Sequence, residues 1–491
     1  MKLIISITLS FAFSLHALAS DEHLRALDIS NSVLESRDGA ISLEKVKELA
    51  AGENVDARIA YERLYQAQQK ISQARSQYFP YGVGEVLVLQ ATDFWNPLIL
   101  AELVTSIPSK WFNVKRTHHL KNAQSHTLAA LKENVKNEVA NLYYETLKEE
   151  AIIALASYEL VMLEKLMQAM RVQVQAGVAT QQQLDELEYQ SLKKREAYLK
   201  LESYLEESKA SLKMLLGMDY HEKALSFQPV KKFLSVDEFK VNPEELALTA
   251  LNRSHEMKAS QQMIYAAYNA KRSAKWSILS FAGLGFDYLQ RVHLAGSKVN
   301  QAIHAKKALE VNIQNDVYSK EAKLMNSVEV LAREINIMEN SKRFMLAQLE
   351  LFKAQRISID KLIEANLYYI KDFAQTVVFH YEALQKLDDL ERIALGNVKN
   401  SDLSSMDIEF ETSERGGAAT LSTVLPAELV QKVSYVTYSF ESNGISDIKS
   451  FIQHDNFQVT LNVPSDRPLR GAALIFFQNG EVLKRNIELR I

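Results

Sequence analysis

The sequence predicts a mainly α chain, built from duplicated long antiparallel helical hairpins with short strand inserts and followed by a small C-terminal β-sandwich. Three observations lead there. Helix breakers are scarce, with 15 Gly and 8 Pro in 491 residues, whereas an all-β chain with many turns needs more of both. Apolar residues recur every three to five positions through long stretches free of Pro and Gly, the period of an amphipathic helix. The same succession of elements then appears twice along the chain.

The N-terminus reads as a leader. Lys2 is followed by the apolar run Leu3 to Leu15 and by Ala17-Leu18-Ala19, so residues 1–19 are expected to be a signal peptide and the mature chain to begin at Ser20. No other stretch approaches the roughly 20 uninterrupted apolar residues of a membrane helix, so any membrane contact is expected to be β or peripheral. The chain has no cysteine, which excludes a disulfide framework, a thiol nucleophile, a thiolate metal site and a lipid-modified cysteine. With 57 basic and 61 acidic residues there is no overall basic excess, and no nucleic-acid partner is expected.

The repeats are expected at about 41–217 and 242–396 within a helical domain of residues 20–398. Asn54 to Arg75 align without gaps on Ser254 to Lys275, which sets Tyr65 on Tyr265, Ala67 on Ala267 and Ala74 on Ala274. Each short helical region leads into a strand-like insert, 81–108 in one repeat and 276–295 in the other. The first insert reads as strands Val83 to Ala91 and Leu98 to Ile107 around a turn at Asp93 to Pro97, each near the roughly 9 to 11 residues of a tilted membrane strand. The second has only 20 residues and contains Gly283 and Gly285. Ser109 after Pro108, and Ser297 after Gly296, are expected to cap the long helices, which run to about Ala176 and Gln355. At about 1.5 Å per residue such a helix reaches on the order of 100 Å. Gly177 is expected to break the first and Thr180 to cap a helix from Gln181 to about Leu216. On that helix Leu184, Leu187, Leu192, Leu199, Leu205, Leu212 and Leu215 form a stripe expected to face its partner. The turn Arg356 to Asp360 takes the place of Gly177 to Gln181, and the last helix ends at Gly396.

These residues resemble the TolC-like outer membrane efflux proteins over roughly residues 41 to 398. The resemblance rests on Ile41 to Ala50 opening the repeat, on the Ala-rich helix ending in Ala74-Arg75 with Pro80 beyond, on Ser109-Lys110-Trp111, and on Gly177-x-x-Thr180 followed by Leu184 and Leu187. It implies a homotrimer in which each protomer gives four strands to a shared barrel in outer membrane lipid and its helices to a periplasmic tunnel. It implies a periplasmic adaptor and an inner membrane pump as partners, and it assigns gating or adaptor docking to the hairpin tips. By this carry-over the tip residues are Gly177, Thr180, Gln181 and Asp185 in the first repeat and Arg356, Ser358 and Asp360 in the second. Arg356 departs from the small residue of the pattern and implies a different tip conformation there. Without the resemblance, Gly177 and Thr180 read as a helix stop and a cap.

Other motifs point to no chemistry. His118, His119 and His126 lack a His-Glu-x-x-His arrangement and are expected to be surface residues. Gly283-Leu284-Gly285 lacks the third glycine and the βαβ context of a dinucleotide loop. No catalytic residue, cofactor or metal is expected. Asp185, Glu186, Glu188, Asp360 and Glu364 near the tips could ring a cation-selective aperture, or form a solvated face. Residues 399–491 carry short β-like runs at Asp407 to Glu411, Leu421 to Leu425, Ser434 to Glu441, Phe457 to Val463, Ala472 to Gln478 and Glu481 to Ile491. Strict alternation at Phe457, Val459, Leu461 and Val463 and the Asn479-Gly480 hairpin signal predict an immunoglobulin-like sandwich. Three readings follow: an outer membrane channel subunit for efflux or type I secretion, a periplasmic scaffold of the same helical design with a reduced or absent barrel, and a coiled-coil structural protein.

Overall fold

The computed structural model describes residues 40–76, 97–219, 226–279, 287–396 and 408–489, with short breaks at 178, 237–238, 240–241, 355, 416–417, 426, 443–444, 453–457 and 463–468. The leader and the first expected strand, Val83 to Ala91, lie outside these residues. Helix α1 (Leu43–Glu53) and α2 (Val55–Ser76) are followed by α3 (Pro97–Gln175) and α4 (Gln181–Leu215). The second set comprises α5 (Pro243–Arg253), α6 (His255–Trp276), α7 (Tyr288–Lys353) and α8 (Ile359–Ala394). The two short-helix pairs keep the 200-residue shift at all four ends. Each pair is broken at one residue, Asn54 (φ −58°, ψ 133°) or Ser254 (φ −48°, ψ 125°), whose N–H still bonds back to Ala50 O or Ala250 O. The duplication is thus one of backbone conformation.

The long helices begin earlier than their Ser-cap signals indicate. Leu98 to Ile107 is helical, not a strand, and Pro108 lies inside the 79-residue α3. Proline costs a helix one backbone hydrogen bond, about 3 kcal/mol in an interior. Here neighbouring contacts hold the helix through it: Ser109 Oγ, which was expected to cap, sits 3.1 Å from Ser273 O and 3.0 Å from Ser273 Oγ, and Ser273 Oγ donates to Ser109 O at 2.9 Å. In the second repeat Ser277–Leu279 is a 3₁₀ turn and α7 already starts at Tyr288, so Ser297 is interior too. Gly296 is tolerated inside α7 at roughly 1 kcal/mol relative to Ala. At about 1.5 Å per residue, α3 and α7 are about 120 and 100 Å long.

The chain divides into two compact units, one of residues 1–55, 134–238 and 322–389, the other of 56–133, 239–321 and 390–491. In the first, Ile41 bridges in parallel to Phe227, with Ile41 N donating to Ser226 O at 2.9 Å and Gln228 N to Ile41 O at 3.2 Å. The buried Tyr143 of α3 seals this bridge, its hydroxyl 2.8 Å from Gln228 O, and burial pushes its pKa up to about 12. Nearby Lys47 of α1 pairs with the buried Asp388 of α8, while Asn137 and Asn141 of α3 both donate to Asp389. Burial nevertheless raises the Asp388 pKa, so Lys47 offsets only part of the desolvation.

His380 of α8 is fully buried, with its ring edge-on to Phe233. A carbonyl can only accept, so Nε2–H donates to Val230 O at 3.0 Å. Burial lowers the His380 pKa from 6.5 to about 4, and the ring is neutral in the folded chain at neutral pH.

On α4 the expected leucine stripe is only partly buried. Leu184 and Leu212, a whole number of heptads apart, are buried. Leu192 and Leu199 lie one position further along, about 100° round the helix, and are 68% and 58% exposed. They do not face α3.

The second unit carries the C-terminal module. Strands β1 (Glu409–Arg415), β2 (Ala418–Val424) and β5 (Gln458–Asn462) form one antiparallel sheet in the order β1-β2-β5. Strands β3 (Val433–Ser442), β4 (Ile445–Ile452), β6 (Leu469–Phe477) and β7 (Val482–Leu489) form the other, ordered β4-β3-β6-β7. The Thr423 and Tyr438 hydroxyls bond between the sheets. This is a seven-strand sandwich in which the fourth strand pairs with the third rather than the fifth, a variation on the constant immunoglobulin order. The sequence reading missed β4, because Ile445, Ile448, Phe451 and Ile452 do not alternate and Asp447 and Lys449 intervene. The Asn479-Gly480 turn forms as expected, with Gly480 at φ +86°.

The outer edge of β7 is occupied by α5. Val482 N donates to Thr249 Oγ1 and Lys484 N to Glu245 Oε1, each at 3.0 Å. Arg485 reaches the same Glu245 oxygen at 3.1 Å, and Asn252 Nδ2 donates to Gly480 O. Arg253 Nε donates to Asn479 O at 2.9 Å and its guanidinium lies 3.5 Å from Glu481. At the matching positions of α1 stand Lys45, Leu49, Gly52 and Glu53, which reverse two charges and remove two hydrogen-bonding groups. The module is therefore matched to the second repeat alone.

Two outcomes follow from this packing. Arg253→Glu, which installs the first-repeat residue, is expected to loosen the module by about 2 kcal/mol or more, since it leaves Glu481 facing a like charge. Hydrogen exchange at the Val482 and Lys484 amides measures this, with unchanged protection contradicting it. For His380, the folded pKa lies below the ordinary value, so its stabilising contribution is complete above pH 6.5 and declines as pH falls towards 4. Denaturant titrations are expected to lose on the order of 3 kcal/mol from this group across that window, and His380→Phe to flatten the slope.

Candidate functional site: the two hairpin tips

Both tips lie in the first unit, and each joins two helices through five residues, 176–180 and 354–358. At the first, Gly177 adopts φ +71° and its N–H bonds to Val174 O at 3.0 Å, a glycine stop on α3. Thr180 caps α4: its side chain accepts from Gln183 N, and Gln183 Oε1 accepts from Thr180 N at 3.0 Å. This reciprocal capping box satisfies two orphan donors at once. Gln181 Nε2 then donates to Asp185 at 2.8 Å, one turn on.

At the second tip Arg356 N bonds to Leu351 O at 2.9 Å, the six-to-one bond that closes a helix C-terminus. Arg356 therefore does not stand in the place of Gly177. Counted back from the helix starts at Gln181 and Ile359, the residue matching Gly177 is number 355, and Ser358 matches Thr180. The sequence alignment was one residue out because it began the last helix at Asp360 rather than Ile359. Leu349, Phe352 and Leu362 form a buried cluster under this tip, with Ile357 packed on it.

The structure brings the two tips together. Gln173, near the end of α3, donates to Asp360 at the start of α8, 3.2 Å from Oδ2. Gln173 was not singled out from sequence, since a glutamine two positions before a helix end carries no local signal. The capping partner Gln183 was legible from Thr-x-x-Gln. The tip acids are mostly engaged within the chain: Glu188 pairs with Arg171 at 2.8 Å, Glu364 with Lys361 at 2.9 Å, Asp185 with Gln181 and Asp360 with Gln173. Glu186 is exposed.

The histidines sit elsewhere, in the second unit, and are not simple surface residues. Adjacent helix positions point about 100° apart, so His118 meets Arg75 of α2 at 3.3 Å while His119 meets Gln262 of α6 at 2.8 Å. His126 stacks on His255 with centroids 6.2 Å apart. Burial lowers the pKa of both His118 and His126. Among the described residues there is no group of three or more His, Asp or Glu placed to hold a metal.

Comparison with solved structures identifies the architecture. The chain matches the outer membrane channel OprN with a TM-score of 0.57 at 14% identity, covering 76% of this chain and 96% of that one. The fold is TolC-like. The CmeC outer membrane channel of Campylobacter jejuni matches with a TM-score of 0.58 at 12% identity, over 73% of this chain and 87% of that one. The open state of the MtrE outer membrane channel of Neisseria gonorrhoeae matches at 0.53 and 13%, over 73% and 89%. At such identities the likeness is one of fold. No family model and no curated protein matches the sequence. Among the described residues of this TolC-like chain, no helix is long and apolar enough to cross a membrane.

Removing either tip device is expected to cost local stability without a clash. A Cβ on Gly177 meets nothing within 4 Å, so Gly177→Ala carries only the left-handed strain, about 1 kcal/mol or somewhat more. Thr180→Ala is expected to cost about 1 kcal/mol through the lost cap. Thermal melts together with amide exchange at Gln183 test both, and an unprotected Gln183 amide in the unaltered chain would contradict the capping assignment.

Proposed function

We propose that the chain is a subunit of an outer membrane channel for efflux or type I secretion, exported by its leader and assembled as a homotrimer around a periplasmic duct. Its TolC-like fold, shared with the outer membrane channels it superimposes on, is the observation that carries this reading. The outward Leu192 and Leu199 on α4 support lateral assembly, because an apolar row on a long slender helix gains from a neighbour's cover. The tips, with Gly177, Thr180, Gln181 and Asp185 on one side and Arg356, Ser358 and Asp360 on the other, gate the duct and meet a periplasmic adaptor coupled to an inner membrane pump. Opening then has to break the Gln173–Asp360 contact. The role is passage rather than catalysis.

A second reading, a periplasmic scaffold with a reduced or absent barrel, is favoured by one finding. Leu98 to Ile107, read from sequence as a membrane strand, and Tyr288 to Ala295, within the second strand-like insert, are helical. Planar lipid bilayers separate the two readings. Stable single-channel conductance from a heat-labile trimer is the expected result, and a soluble, non-conducting oligomer would favour the scaffold.

A further inference from the structure

The second unit carries a charge imbalance that the overall composition conceals. From Leu103 to Lys132 the sequence holds no acidic residue, and from Met257 to Leu309 it holds only Asp287. Asp287 is itself paired with Arg291 at 3.1 Å. Basic residues are frequent over the same stretches, in a chain whose net charge is −4. Lys115, Arg116, Arg272 and Lys275 are all exposed.

These residues are gathered in space. The Ser109–Ser273 bonds fix the first part of α3 against the end of α6, and Tyr288 Oη donating to Lys275 O at 3.0 Å fixes the start of α7 beside the same end. Large apolar side chains are exposed among the bases: Trp111, Trp276, Ile278, Leu279, Leu289 and Leu294. Lys115 Nζ lies 3.6 Å from the Trp111 ring centroid, and the Arg272 guanidinium 5.8 Å from that of Phe112.

We propose that this end of the helices is a collar that seats on an anionic lipid surface, with the lysines and arginines on lipid phosphates and the Trp and Leu side chains in the headgroup boundary. Tryptophan combined with Lys and Arg is the pairing that favours a membrane–water interface, where the ring is half wetted and long basic side chains reach phosphate. A second copy of the chain does not answer the charge, because a cyclic assembly brings like basic ends to the same level. A polyanion in solution answers the charge but leaves the exposed Leu289 and Leu294 uncovered. The proposal rests on the outer membrane reading above and adds to it the surface by which helices, as distinct from strands, engage lipid.

The test uses the purified full chain and sedimentation with vesicles of phosphatidylcholine alone or mixed with phosphatidylglycerol. Binding is expected to favour the mixed vesicles and to weaken with salt. The Lys115→Glu, Arg116→Glu, Lys275→Glu triple variant is expected to bind at least about tenfold more weakly, and Trp111→Ala with Trp276→Ala to weaken binding in both vesicle types. The triple variant Arg333→Glu, Arg343→Glu, Lys361→Glu, on exposed bases of the first unit, changes charge equally and is expected to leave binding within about twofold. Equal losses in the two triple variants, or no preference for phosphatidylglycerol, would overturn the collar. Conductance in bilayers without that preference would overturn the collar alone, whereas lipid-selective binding without conductance would support it and count against the channel.

Discussion

The structure depends on two helices, α3 and α7, that stay hydrogen-bonded for 79 and 66 residues. A helix of that length cannot fold over to bury its own apolar face, so neighbouring helices cover part of that face and the tips turn the chain back along it. The tips perform the turn, with a left-handed glycine and a capping box at one and a buried Leu349, Phe352 and Leu362 cluster under the other. Where cover is lacking, as at Leu192 and Leu199, apolar side chains stay exposed. Continuity also explains Pro108: an interruption that would end a short helix is absorbed where the next residue, Ser109, is held by Ser273.

Duplication supplied this architecture, and divergence between the copies gave each half its own task. The breaks at Asn54 and Ser254 share backbone geometry, yet the residue before each differs in charge. Glu53 lies against Gly217, where a Cβ would come within 2.7 Å of the Glu53 carbonyl oxygen. Arg253 instead reaches the β6–β7 turn and occupies the space beside Gly480 and Gly396. Two charge reversals, Arg253 for Glu53 and Glu245 for Lys45, together with Thr249 for Leu49, turn a helix joint into a landing site for an added domain. The side chains of α5 also satisfy N–H groups on the edge of β7, which protects that edge from pairing with other strands.

Much of this was legible in the sequence, for particular reasons. The 200-residue shift was visible in Tyr65 and Tyr265 and in the matched alanines. Gly177 and Thr180 announced the first tip because a left-handed turn and an N-cap each demand particular residue types. The second tip was misread by one position because Arg356 and Ile357 make no such demand and the register came from the helix start. The insert boundaries were misread because Ser109 and Ser297 look like caps, and only their setting shows otherwise: Ser109 spends its hydroxyl on Ser273. Strand β4 was missed because an edge strand with Asp447 and Lys449 has no alternation to reveal it.

The sequence by itself determined the helical class, the duplication, the first tip and the presence of a β-sandwich with its Asn-Gly hairpin. All of these rest on local spacing, on single-residue conformational preference, or on likeness within the chain. Only the tertiary structure decided which way Leu192 and Leu199 face, that Gln173 holds Asp360, that Arg253 fastens the module to α5, and that the first part of α3 and the end of α6 meet beside the start of α7. Each of these joins residues distant in sequence, and a contact between side chains on different helices is set by how the helices pack, which no local pattern encodes.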